Sequence, residues 1–207
     1  MSLQFAGVHA THKDSHGIVT EFTLEREVDP ICLSIPINNE TIWEGNYANR
    51  DVPQRCKATV VKTVGQIRPL IIHPKIETFG ELEVLSFIEK MDNNKSLLLV
   101  DSRKSDLYTY RTIPSASNIP FQHITKSHLF PKEFKKALFK LGIKKIKDGY
   151  DFSNAKTIVL FCNGSWCGQS PAMIKTLMHL GYPPAKIKWY RGGMTDWLAM
   201  SMTSTHP

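Results

Sequence analysis

The chain has 207 residues, 42% of them hydrophobic and 22% charged, with a formal net charge of +7. That length allows one ordinary domain, or one domain with a sizeable extension, and a core that buries roughly 70% of the unfolded chain's surface. The composition excludes a disordered chain, no run approaches the roughly 18 apolar residues of a membrane-spanning helix, and the moderate basic balance favours small anions without establishing nucleic-acid binding.

Residues 1–75 read as an irregular extension. The start, from Met1 to Gly7, lacks the charged-then-apolar pattern of an export signal and begins abruptly in polar sequence, as after removal of a leader. The first sixteen residues read as a frayed terminus, because Gly7 and Gly17 oppose the helix that would bring His9, His12 and His16 together as metal ligands. Residues 17–24 read as a strand, 29–53 as a Pro-, Asn- and Gly-rich loop, and 58–64 and 67–72 as two strands or a hairpin about Gly65.

From residue 76 the pattern alternates helix and strand. An amphipathic helix is predicted over 80–91, with Leu82, Leu85 and Ile88 on its apolar face and Phe79, Val84 and Phe87 widening it. Residues 97–100 are a continuous apolar run, as in a strand covered on both faces. A second helix is predicted over 129–142, stopped by Gly142. Seven lysines between 131 and 149 read as a solvated face opposite Phe134, Leu138, Leu141 and Ile143. Residues 157–161 form another buried strand, 171–180 a helix closed by Gly181, and 187–190 a last strand before Gly192-Gly193 and a helical turn through Trp197. This order implies an α/β fold with a parallel central sheet and helices on both faces, whose sites form at the carboxyl ends of the strands.

That rule directs attention to Cys162, which follows the 157–161 strand. After it come Asn163, Gly164, Ser165, Trp166, Cys167, Gly168, Gln169, Ser170 and Pro171, then the helix. A thiol in a tight loop before a helix amino terminus sits among unpaired N–H groups that favour its thiolate. Gly164 and Gly168 let the loop curl so that several N–H groups converge on a sulfur anion.

The surroundings resemble a rhodanese homology domain. Leu98-Leu99-Val100-Asp101-Ser102-Arg103 is similar to that family's strand ending in Asp-x-Arg, and Ile113-Pro114-Ser115-Ala116-Ser117-Asn118-Ile119-Pro120 to its Ile-Pro-x-Ala-x-Asn-Ile-Pro segment. Ile158-Val159-Leu160-Phe161-Cys162 resembles the strand leading to the catalytic cysteine, and Gly192-Gly193-Met194-Thr195-Asp196-Trp197 the terminal Gly-Gly-x-x-x-Trp. The resemblance covers about residues 76–202, so the expected organisation is an extension over 1–75 and a rhodanese-like domain over 76–207.

What the resemblance implies is a sulfurtransferase. The Cys162 thiolate would take the outer sulfur of thiosulfate or a thiol persulfide, and a nucleophilic acceptor would remove it. Asn163, Gly164, Ser165, Trp166, Cys167 and Gly168 would form the persulfide-binding loop, with Asp101 and Arg103 a structural ion pair beside it. The covalent persulfide replaces any cofactor or metal, and the expected partners are a small anionic or thiol donor and acceptor, with no nucleic acid and no membrane; the oligomeric state is left open. The segment before Ile113 departs from the family pattern, reading Tyr110-Arg111-Thr112. The loop from Asn163 to Gln169 also lacks Lys and Arg, which puts thiosulfate in question as the donor.

Cys167 adds a second thiol, a candidate resolving residue that attacks the persulfide. A Cys-loop phosphatase needs Arg where Gly168 stands, and that reading fails. A monothiol thioredoxin-like protein, with Cys167 in Trp166-Cys167-Gly168-Gln169-Ser170 as nucleophile, and a non-catalytic rhodanese-like binding module are the remaining alternatives. Cys32 and Cys56, if joined, place the chain in an oxidising space. The expected compartment is the periplasm, with the cytoplasm as the alternative if both are free.

Overall fold

The computed structural model describes residues 7–24, 30–35, 52–53, 56 and 66–207. They fall in two compact units, Met1–Ile67 and Arg68–Pro207. Residues 68–75, which the sequence reading places in the extension, thus belong to the second unit.

In the first unit, β1 (Val8–Lys13) pairs antiparallel with β2 (Val19–Leu24). The first sixteen residues are therefore not a frayed terminus throughout. The Asp14 carboxylate accepts the N–H groups of His16 and Ile18, and Gly17 adopts φ +82°, so a tight turn closes the hairpin. His9 and His12 lie three apart on a strand and point to opposite faces. Among the described residues no cluster of His, Cys, Asp or Glu is arranged to hold a metal ion. Cys32, in a short 3₁₀ turn (Pro30–Ser34), is joined to Cys56 by a disulfide. The strand expected over 58–64 and most of the 29–53 loop lie outside the described residues.

The second unit begins with 68–75 in irregular conformation, and no strand forms at the expected 67–72. Pro69 has no N–H to give a ladder, and the Arg68 N–H is committed to the Ser165 carbonyl at 2.9 Å. There follow β3 (Glu77–Phe79), α1 (Glu81–Met91), β4 (Leu97–Asp101), α2 (Ser105–Tyr110), β5 (Ser117–Asn118), α3 (Phe121–Thr125) and α4 (Pro131–Lys140). A hairpin of β6 (Lys144–Ile146) and β7 (Gly149–Asp151) leads to β8 (Thr157–Phe161), α5 (Gln169–Leu180), β9 (Ile187–Tyr190) and α6 (Gly193–Ala199). The sheet is wholly parallel, in the order β3-β9-β8-β4-β5.

Strand alternation assigns the two layers. Leu98, Val100, Ile158, Leu160, Ile187 and Trp189 pack with Ile124, Ala137, Leu138, Met173, Ile174 and Leu177 of α3, α4 and α5. On the opposite face, Tyr190 donates a hydrogen bond to Glu81 of α1 and stacks edge-on against Trp197 of α6. Helix α1 buries Val84 and Phe87, while Leu82 is 75% exposed, so its buried stripe is rotated from the one predicted. Lys144 and Lys145 lie on the β6–β7 hairpin rather than on a helix. Among the described residues no helix is long and apolar enough to cross a membrane.

Candidate active site

The sheet delivers Cys162 to the carboxyl edge of β8, its central strand, and α6 fixes the loop that follows. Met194 N–H donates to the Cys162 carbonyl at 3.0 Å, and both the N–H and hydroxyl of Thr195 donate to the Asn163 carbonyl. This approach requires Gly193. It sits at φ +55°, and a Cβ there would lie 2.3 Å from the Cys162 carbonyl oxygen and 2.8 Å from the Gly164 nitrogen. The terminal Gly-Gly of the sequence is thus the clamp on the loop. Gly164 is crowded too, though by side chains, with Thr195 Oγ1 and the Trp166 indole nitrogen each 2.8 Å from where a Cβ would stand.

Cys162 is buried, at 2% exposure, and Asn163, Trp166, Cys167 and Ser170 are buried with it. Burial alone pushes the Cys162 thiol up. Hydrogen bonds from the Cys167 thiol, the Ser170 hydroxyl, and the Ser170 and Gly164 N–H groups outweigh it and bring the thiol from 9.0 down to about 7. Burial and the adjacent Cys162 push Cys167 well up, although the Gln169 and Asn163 N–H groups also point at its sulfur. The pair is therefore ordered, with Cys162 ionising first and Cys167 serving as its hydrogen-bond donor. Both thiols are free.

This is a narrower cradle than the one expected across the whole loop. Gly164 supplies one amide and Ser170, beyond the expected stretch, supplies another together with its hydroxyl. The Cys167 N–H is spent on the Gly164 carbonyl, closing the turn at 2.9 Å. Trp166 is 5% exposed, so it packs into the loop rather than presenting a face.

Asp101 and Arg103 form a fully buried ion pair, with Arg103 Nη2 at 2.6 Å from Asp101 Oδ2 and Nε bonding both carboxylate oxygens. Thr112 donates to the same carboxylate, and Asn118 donates to the carbonyls of Asp101 and Arg103. The pair knits the end of β4 to its neighbours without bonding Cys162. The residue between them matters more to the site. Ser102 Oγ lies 2.7 Å from both the Phe161 carbonyl and Ser170 Oγ, so a chain of two hydroxyls runs from the end of β8 to Cys162.

Sequence reasoning missed Ser102, Ser170 and Arg68. A hydroxyl inside Asp-x-Arg and another in the first turn after a cysteine loop were readable signals for the serines. Arg68, whose N–H binds the loop at Ser165, carries no such local signal because it lies 100 positions before Gly168 in the sequence numbering.

A thiol at the edge of a parallel sheet, made acidic by converging donors, defines a Cys-loop protein of the α/β class. Residues 84–200 match the rhodanese-like domain family, and the chain belongs to that family. No curated protein matches the chain. Among solved structures it is similar to an uncharacterised protein from Saccharomyces cerevisiae, at 25% identity over 60% of this chain and 92% of that one, with a TM-score of 0.44. A thiosulfate sulfurtransferase from Pseudomonas aeruginosa matches at 17% identity over 63% of this chain and 20% of its own, with a TM-score of 0.40. A rhodanese with anions from E. coli matches at 19% identity over 54% of this chain and 99% of its own, with a TM-score of 0.34.

Proposed function

We propose that the protein is a sulfurtransferase that carries sulfane sulfur as a persulfide on Cys162. The observation that carries this reading is the Cys162 thiol, brought down to about 7 by four converging donors in a buried loop. At neutral pH such a group is about half thiolate, the form that attacks sulfur. With thiosulfate, the Cys162 thiolate bonds the outer sulfur, the donor's S–S bond breaks, and sulfite leaves with that electron pair. Cys162 then holds a persulfide anion, for which the Gly164 and Ser170 amides are suited. A nucleophilic acceptor, such as a thiol, takes the outer sulfur and returns Cys162 to the thiolate. No cofactor or metal enters this cycle. The test is a single-turnover reaction with thiosulfate or a small-molecule persulfide. One equivalent of sulfur should be transferred per protein, and none in Cys162→Ser; transfer undiminished in that variant would refute the reading.

The hydrogen bond between the thiols supports a resolving role for Cys167. Its sulfur attacks the inner persulfide sulfur, hydrosulfide leaves with the Cys167 proton, and a Cys162–Cys167 disulfide remains. The persulfide is already at the disulfide oxidation level, so no oxidant is required. Sulfide release from the loaded protein without reductant should be lost in Cys167→Ser; equal release would remove Cys167 from the cycle. The thioredoxin-like alternative needs Cys167 as the more acidic thiol, and the order here is the reverse. Against the non-catalytic module stands the same acidic thiol. The Cys32–Cys56 disulfide supports residence in an oxidising compartment such as the periplasm.

A further inference from the structure

The loop from Asn163 to Gln169 carries no cation of its own, yet an arginine from before the matched family segment is built against it. The Arg68 backbone is held on both sides. Its N–H donates to the Ser165 carbonyl at 2.9 Å, and its carbonyl accepts two bonds from the Arg191 guanidinium, at 2.8 and 3.1 Å. The side chain is then aimed at Gly168. A Cβ at Gly168 would stand 2.7 Å from Arg68 Nη2 and 3.6 Å from Cζ, so the guanidinium occupies the space that a side chain at that position would fill.

This placement is unfavourable without a ligand. The guanidinium lies at the amino terminus of α5, the positive end of a twelve-residue helix. Arg68 Nε is buried without a hydrogen-bond partner, and among the described residues no carboxylate pairs with Arg68 or Arg191. A guanidinium with an unsatisfied buried donor, set against the positive end of a helix, lacks one thing, an anion. The Ser170 amide that holds the Cys162 sulfur belongs to the same helix start.

Resting on the sulfurtransferase reading, we infer that Arg68 is the donor-binding residue of this site, its guanidinium holding the sulfonate end of an anionic sulfane donor of the thiosulfate class while Cys162 attacks the outer sulfur. Gly168 is then a specificity position, kept bare to admit the guanidinium. The missing loop cation is supplied from another part of the chain, and the doubt over thiosulfate that its absence raised is reversed.

The test separates charge recognition from thiol reactivity in the full-length protein. Alkylation of Cys162 is followed by peptide mapping with iodoacetate, which is anionic, and iodoacetamide, which is neutral. Single-turnover loading by thiosulfate is measured alongside. Loss of a charge-assisted hydrogen bond corresponds to a fold-change of about 10 to 100. Arg68→Gln should lower the iodoacetate-to-iodoacetamide rate ratio, and the thiosulfate loading rate, by about that factor, with iodoacetamide alkylation changed little. Arg68→Lys should recover part of the loss. Gly168→Ala, whose φ of −94° accepts alanine, should lower the ratio by displacing the guanidinium while leaving its charge in the protein. An unchanged alkylation ratio in Arg68→Gln overturns the inference. If the wild type takes no sulfur from any donor yet the ratio still falls in Arg68→Gln and Gly168→Ala, the transferase reading fails while Arg68 stands as an anion-binding residue.

Discussion

Replacing Ser170 by alanine removes the hydroxyl bonded to the Cys162 thiolate while retaining its N–H. The serine has one proton to give, and its oxygen also lies 2.7 Å from Ser102 Oγ. With Cys162 protonated, Ser170 donates to Ser102, which donates to the Phe161 carbonyl. With Cys162 ionised, Ser170 turns to the sulfur and Ser102 turns to Ser170. The Phe161 carbonyl then keeps the Ser102 N–H at 3.0 Å, so no acceptor in the chain is left bare. A hydrogen bond to a charged group contributes about 1.5–3 kcal/mol, and each pKa unit is about 1.4 kcal/mol. Ser170→Ala should therefore raise the Cys162 pKa by about one to two units from its value of about 7. At pH 7 the thiolate fraction should fall from about one half to between about 1% and 10%. The assay is the pH dependence of iodoacetamide alkylation at Cys162, with Ser102→Ala as a comparison that should shift the midpoint less. A Ser170→Ala midpoint within a few tenths of a unit of wild type would refute this account of the acidic thiol.

Stability should depend on pH through the same group. The folded pKa of about 7 lies below the 9.0 of an unperturbed thiol, so ionised Cys162 stabilises the fold above the unfolded value, and that contribution is lost as pH falls through about 7. Denaturant titrations should show stability rising between pH 7 and 9 in wild type, a slope that Cys162→Ala removes. Asp101→Asn leaves the buried Arg103 without its countercharge and should cost about 3–5 kcal/mol in chemical denaturation; a variant as stable as wild type would contradict the pair's structural role. Gly193→Ala should displace the Cys162–Gly164 backbone, visible as a slowed iodoacetamide reaction, since its methyl has no room beside the Cys162 carbonyl. Thiol counting on unreduced, denatured protein should find two reactive thiols of four, and reducing Cys32–Cys56 should lower stability by roughly 3 kcal/mol, the loop entropy released.

The core of the second unit was largely legible in the sequence because β4 and β8 are nearly continuous apolar runs and α4 and α5 are closed by Gly142 and Gly181. The buried strands β8 and β9 lie where the hydrophobic pattern puts them. Short elements escaped for a physical reason. Strand β5 has two residues and α3 has five, too few to show a period, and both are fixed by long-range bonds such as that of Asn118 to the end of β4. The α1 face was misplaced because apolar residues flank it on both sides, and packing rather than periodicity chose Val84 and Phe87 over Leu82. At the site, the nucleophile and loop were readable as a local motif. Ser102 and Ser170 each carried a local signal, but their pairing, like the approach of Arg68, was not readable, because each depends on the fold bringing distant segments together.

The most direct test of the central claim is a peptide-resolved mass spectrum of wild-type protein after brief exposure to thiosulfate or a small-molecule persulfide, with alkylation to trap the product. One additional sulfur atom on Cys162, discharged on adding a thiol acceptor, is the expected result. Retention of sulfur on Cys167 alone, or with every donor neither added sulfur on Cys162 nor a Cys162–Cys167 disulfide with released sulfide, would contradict the assignment of Cys162 as the sulfur carrier.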